Sequence, residues 1–168
     1  MAPSADGEMV VRELRLHERA RLEQQLRRSW GSATIVSRGR SRDASQLPAL
    51  VCAAGDELVG LATFEIRGSE CELVTIEALR RSQGIGSALL DAVVEQARQR
   101  GCRRLMLVTT NDNLAALGFY QRRGLRLCAV HRGAVDEART LKPEIPLTGE
   151  NGIPIHDELE LEFAITER

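Results

Sequence analysis

Lysine is nearly absent from this chain: Lys142 is the only one, although Lys and Arg together number 23. Aromatic residues make up 3%, with a single tryptophan and a single tyrosine, which leaves no platform of rings for stacking nucleic-acid bases. Charge of either sign is also nearly cancelled. A formal net charge of -1 gives no general attraction to nucleic acid or to an anionic membrane surface. Arginine pairs recur at Arg27 and Arg28, Arg103 and Arg104, and Arg122 and Arg123; they read as solvated helix faces and strand ends, with phosphate contact as the sharper alternative. The four cysteines are widely spaced and form no CxxC, and no nearby histidine completes a zinc site with them, so no metal is expected. Cys52, Cys71, Cys102 and Cys128 read instead as reduced thiols, three of them in apolar, strand-like company. No stretch approaches the roughly 18 apolar residues of a membrane span, and "MAPSADGEMV" lacks the apolar core of a signal peptide. The expectation is a cytoplasmic protein with neither a membrane nor a nucleic-acid partner.

What is present is an ordinary globular composition, 43% hydrophobic over 168 residues, read as one domain over 1–168 with residues 1–8 disordered. "MVVRELRL" offers a strand, and "HERARLEQQLRRSWG" a helix ending at Gly31. Residues 32–47 mix Ser, Arg and Gly without clear period and are expected to be a flexible loop. Two apolar runs flank Gly55-Asp56 as a hairpin, and "CELVTIEAL" adds a third strand. The period then changes. Ile85, Leu89, Ala92 and Val93 fall at helical spacing, predicting a helix over 84–100 stopped by Gly101. "RRLMLVTT" is a buried strand, "NLAALGFYQRRG" a short helix, and "LRLCAVHRG" another strand. One or two helical turns ending at Pro143, a proline-punctuated loop and the alternating strand "DELELEFAI" complete an α/β chain, a mixed sheet with helices on both faces.

The stretch "RRSQGIGSALL" places Gly84 and Gly86 at the start of the predicted helix. Unpaired amides and a partial positive charge at a helix N-terminus can hold a phosphate, and glycines let it approach; a tight turn or close packing explains the same residues. Arg81-Ser-Gln83-Gly84-Ile85-Gly86 resembles the (Q/R)-x-x-G-x-(G/A) signature of the GNAT superfamily of N-acetyltransferases. Asn113-Leu-Ala-Ala116-Leu-Gly-Phe-Tyr120-Gln-Arg-Arg-Gly124-Leu resembles that family's second block, in the family's order. The resemblance implies a GNAT-like, mostly antiparallel central sheet of six to seven strands flanked by helices on both faces. It also implies acetyl-CoA as co-substrate, without a metal. The amides of Gly84, Ile85, Gly86 and Ser87 would take the pyrophosphate, and the strand around Val74, Thr75 and Ile76 would pair with the pantetheine arm. The next strand would splay away to admit it, with Arg81, Gln83, Asn113 and Ala116 completing the coenzyme site.

Acetyl transfer to an amine needs a base to take a proton from an ammonium whose pKa is about 10, and an acid for the leaving thiolate. Tyr120 occupies the family's acid position, although it would also serve to pack the helix on the sheet. Glu70 and Glu72, two apart on one strand, share a face and are the candidate bases. Glu72 is favoured, as the deeper of the two; both also read as solubilising edge charges. An amide near Ile76 is the family-like oxyanion partner. Asn113 would contact the coenzyme arm, cap a helix, or do both. The resemblance implies direct attack by a primary amine, on a small molecule or a peptide, in a ternary complex; a non-catalytic acyl-CoA sensor is the alternative, and a homodimer is possible. The acceptor stays open at this point: Arg38, Arg40 and Arg42 would attract an acidic molecule, whereas Asp136, Glu137, Glu144 and Glu150 would attract a polycation.

Overall fold

The computed structural model describes residues 8–81 and 83–166, so nearly all of the N-terminal stretch expected to be disordered lies outside the described residues. The chain runs β1 (Met9–Glu13), α1 (Arg19–Trp30), β2 (Thr34–Ser37), β3 (Arg40–Asp43), β4 (Ala49–Ala54), β5 (Glu57–Arg67) and β6 (Glu70–Ala78). It continues through α2 (Ile85–Gln99), β7 (Arg104–Thr110), α3 (Leu114–Arg122), β8 (Arg126–His131), α4 (Ala134–Leu141) and β9 (Glu158–Ala164). Seven strands form one sheet in the order β1-β4-β5-β6-β7-β9-β8. Every pairing in it is antiparallel except β6 with β7, which α2 connects as a crossover.

Each face of the sheet carries its own core. On one, Ile85, Leu89 and Val93 of α2 lie at helical spacing and bury against Phe64, Leu105 and Leu161. On the other, Leu22 and Leu26 of α1 pack on Val51 and Leu61. α1 has no interior Gly, Pro or β-branched residue, and it stops where Gly31 adopts φ +77°.

The expected flexible loop over 32–47 is instead largely a hairpin of β2 and β3, followed by a single 3-10 turn. Its two-residue turn, Arg38-Gly39, has both residues at positive φ (+51° and +67°), the twist that suits antiparallel strands. The aperiodic reading missed an alternation: Arg38, Arg40 and Arg42 recur every second residue and turn toward an acidic face of the sheet. Arg42 reaches Glu72 at 2.8 Å and Glu65 at 3.2 Å, and Arg40 reaches Glu65 at 3.0 Å. Arg38 lies 3.5 Å from Glu70, which Arg104 of β7 also holds, at 2.5 Å. These ion pairs order a segment too polar to order itself by apolar burial.

The sheet is not closed throughout. β6 and β7 pair from Glu70/Arg104 only as far as Leu73/Leu107, although both strands continue. Opposite β5, Thr63 faces Thr75 but Phe64 faces Leu73, so Val74 is an extra residue, a bulge where the strands part. Beyond it, β6 remains paired with β5 and β7 with β9, and the two diverge as a fork.

Gly60 of β5 sets the depth of α2 over this fork. A Cβ there would overlap Ile85 Cγ2 and stand 3.1 Å from Leu89 Cδ1, both on buried side chains of α2. Gly60→Ala is therefore expected to lower stability by about 1–3 kcal/mol, read as a lower midpoint in urea, and to weaken any ligand held at the N-terminus of α2. An unchanged midpoint would show that α2 sits more loosely than its packing indicates.

Candidate active site

The fork opens into a cavity of about 580 Å³ that spans from the sheet to the late loop. Val74, Thr75 and Ile76 line one side and Val108, Thr109 and Thr110 the other, with Asn113, Ala116 and Tyr120 of the α3 segment above them. The cavity continues to the end of α1, to β2, to α4 and to Glu158 at the start of β9. Residues from the fork, the second motif and the hairpin thus meet in one space.

Tyr120 is 8% exposed, and no hydrogen bond joins its hydroxyl to another described residue. Burial pushes the phenol up to about 12, which keeps it protonated. Its ring also packs edge-on against Phe119, so the packing role and the cavity position coexist. Asn113 caps α3 by accepting from the Ala116 N–H at 3.2 Å, while also lining the cavity.

At the N-terminus of α2, Gly84 adopts φ +71° and no side chain caps the helix. The first return bond runs from the Ala88 N–H to the Gly84 carbonyl at 2.9 Å, leaving the preceding amides open. Arg81, Gln83 and Gly84 are exposed and Ser87 is half-buried, whereas Ile85 is core. None of residues 81 and 83–87 lines the cavity itself. Gly86 has a second reason to lack a side chain, since a Cβ there would touch the Phe119 ring at 3.5 Å.

The two candidate bases, Glu70 and Glu72, do not line the cavity. Glu72 is buried, at 6% exposure, but it is held by Arg42 at 2.8 Å and by the Ser37 hydroxyl at 3.3 Å, and Ser37 stands between it and the cavity. Arg42 also donates to Ser37. Glu70 is bound by Arg104 and Arg38. Spacing put both on one face correctly; their engagement by arginines from distant elements was not visible in it.

Glu158 was missed. It is 3% exposed, lines the cavity, and is the acidic residue of this sheet face with no guanidinium partner among the described residues. Its Oε2 accepts the Arg38 backbone N–H at 3.0 Å from the tip of the hairpin. Burial raises its pKa, opposed by that bond and by the nearby His131 and Arg38 and reinforced by Glu72. The alternation of "DELELEF" marks a strand with a charged face, but only the tertiary pairing distinguishes Glu158 from Glu160, which His131 and Arg104 hold at 2.8 and 2.7 Å.

The late loop closes the cavity as a built wall. Arg139 donates to the carbonyls of Ile145, Pro146 and Ile155 at 3.2, 2.6 and 2.7 Å. Asn111 donates to the Pro154 carbonyl and accepts the N–H groups of His156 and Asp157 at 2.9 and 3.0 Å. Lys142, 7% exposed, donates to the carbonyls of Trp30 and Thr34 at 2.9 and 2.8 Å and so ties α4 to α1 and β2.

Comparison with known proteins agrees with this arrangement. The model of the acetyltransferase (GNAT) family matches residues 12–125. The uncharacterized Bacillus subtilis (strain 168) protein YxbD is 41% identical over 133 residues, 79% of this chain and 84% of its own length. YdhI of the same organism, also uncharacterized, is 48% identical over 103 residues, 61% of this chain and 64% of its own. The fold matches a GNAT family acetyltransferase from Elizabethkingia anophelis with acetyl-CoA bound, with TM-score 0.67 and 17% identity over 93% of this chain and 97% of that one. The forked sheet, the two motifs and a family match over more than half of the chain make this protein a member of the acetyltransferase (GNAT) family.

Proposed function

We propose that the protein transfers the acetyl group of acetyl-CoA to a primary amine, with both bound together, using Tyr120 as acid and Glu158 as base. The observation that carries this reading is the fork: the bare edge of β6 from Val74 to Ile76 opens into the same cavity as a protonated phenol and a buried carboxylate with no guanidinium partner among the described residues. A slot lined by peptide groups suits a long, amide-bearing arm, because each group finds a partner. The residues present fit this co-substrate. Val74, Thr75 and Ile76 would pair with the arm, Asn113 and Ala116 would border it, and the amides of Gly84, Ile85, Gly86 and Ser87 would take the pyrophosphate, beside Arg81 and Gln83. Bound there, acetyl-CoA supplies an activated thioester.

The remaining work falls to the chain. Glu158 accepts the proton of the arriving ammonium, directly or through a water, and the Arg38 N–H keeps its carboxylate aimed. Tyr120 gives its proton to the departing sulfur. The amide near Ile76 serves the developing oxyanion, and holding amine and thioester side by side supplies much of the remaining rate. Glu72 and Glu70 have a structural part here, as anchors for the arginines that set the hairpin tip against Glu158. A binding module without turnover would need neither Tyr120 nor Glu158 in the cavity.

Calorimetric titration with acetyl-CoA, followed by rates of thiol release across pH, tests the scheme. A base works deprotonated, so kcat/KM should fall as pH drops, and the raised pKa of Glu158 places that fall above the ordinary carboxylate range. Glu158→Gln is expected to lower kcat/KM by about 10²–10⁴-fold and to remove the acidic limb. It should not lower stability at pH 7, because Gln still accepts the Arg38 N–H and no longer buries a charge. A full-rate variant would return the role to solvent.

Tyr120→Phe is expected to reduce kcat while leaving acetyl-CoA affinity unchanged. Undiminished turnover would remove the phenol from the chemistry.

A further inference from the structure

The acceptor end of the cavity, beyond Tyr120 and the fork, is walled mainly by apolar side chains. Trp30 closes the end of α1, Ile35 and Val36 come from β2, Val135 from α4, and Ile145 and Ile155 from the late loop. Charged lining is confined, among the described residues, to Glu158, Lys142 and Glu144. Lys142 spends two N–H groups on the Trp30 and Thr34 carbonyls, and Glu144 offsets its charge from two residues away.

Of the two charge sets that the sequence offered for recognition, only Glu144 lines the cavity. Arg38, Arg40 and Arg42 pair with Glu70, Glu65 and Glu72 on the sheet, and no arginine lines the cavity among the described residues. Asp136 is bound by Arg139 and His156, and of the late-segment carboxylates considered only Glu144 reaches the cavity. An acidic acceptor therefore meets no free cation. A polycation meets one buried carboxylate, Glu158, and an exposed one, Glu144, that sits in the field of Lys142; its further ammonium groups would enter mainly apolar surroundings, which is costly.

Size narrows the acceptor further. The 580 Å³ must hold both the acetyl-bearing end of the co-substrate and the acceptor, so the acceptor's share is that of a small molecule. Arg139 and Asn111 fix the loop through six bonds to backbone groups, so the wall is preformed.

We infer that the acceptor is a compact primary amine with a single positive charge on an apolar body, its ammonium at Glu158 and its body between Trp30, Ile35, Val135 and Ile145. The assignment rests on the acetyl-transfer reading above. It follows from the cavity's own chemistry: one buried carboxylate for one ammonium, with Glu144 set beside Lys142, and mainly apolar side chains around the body attached to it.

The full-length protein should be assayed for thiol release with 2-phenylethylamine, hexylamine, spermidine, an aminoglycoside and a short peptide with a free N-terminus, alongside calorimetry with acetyl-CoA. The two apolar amines are expected to exceed the polycations and the peptide in kcat/KM by about tenfold or more. Ile145→Glu should lower kcat/KM for the apolar amines by about tenfold without changing acetyl-CoA affinity. Ile145→Ala, which keeps the carbonyl that Arg139 holds, should give a smaller loss in the same direction. Spermidine, the aminoglycoside or the peptide matching or outpacing the apolar amines overturns the assignment, as does acetyl-CoA binding with no turnover of either apolar amine. Failure to bind acetyl-CoA overturns the acetyl-transfer reading beneath it.

Discussion

The pairing of β6 with β7 stops at Leu73 and Leu107, and the functional half of the molecule is arranged around that interruption. Peptide groups left unpaired inside a protein are costly, so a sheet parts in its middle only where other partners or a ligand can meet them. Here the exposure is limited to facing edges, since β5 and β9 hold the outer sides of the two strands through the fork. The extra residue at Val74 turns β6 at the parting point, and Gly60 lets α2 settle close behind it. β9 follows β7 up to the pairing of Thr110 with Glu158, which carries a carboxylate to the mouth of the opening.

A second constraint comes from charge. One sheet face gathers Glu65, Glu70, Glu72, Glu158, Glu160 and Glu162, a set that would repel itself if left bare. The hairpin arginines and Arg104 neutralise most of it, with Arg42 and Glu72 forming a buried pair. Removing one partner of such a pair strands the other charge, so the lattice specifies where the hairpin sits. The tip that results is strained at Arg38, φ +51°, and its N–H goes to Glu158. Local cost at the tip and a raised carboxylate pKa occur together where the chemistry is proposed, as expected when a site gives up stability for reactivity.

Much of this was legible before any coordinates. α2 and its stop at Gly101, the hairpin at Gly55-Asp56 and the alternating last strand follow from periodicity and turn chemistry, which act over neighbouring residues. The cavity positions of Asn113, Ala116 and Tyr120 were reachable because they sit inside a motif, and those of Val74 to Ile76 because the family resemblance points to the strand before one. Residues 32–47 were misread because apolar periodicity was the signal sought, whereas arginines recurring every second position order that hairpin through carboxylates on distant strands. Glu158 escaped for a related reason, since nothing adjacent to it distinguishes it from Glu160.

The sequence by itself determined the element types outside residues 32–47, the helix N-terminus opened by Gly84 and the family, because these depend on residues close together in the chain. Tertiary structure alone decided which carboxylates are engaged by arginines and which one is left facing the cavity. It also decided that the cavity wall from Trp30 to Ile155 is mainly apolar, with Arg38, Arg40, Arg42 and Asp136 turned to structural work. Those outcomes depend on groups tens of residues apart, such as Arg38 and Glu158, and a charge's role is set by what folding places beside it.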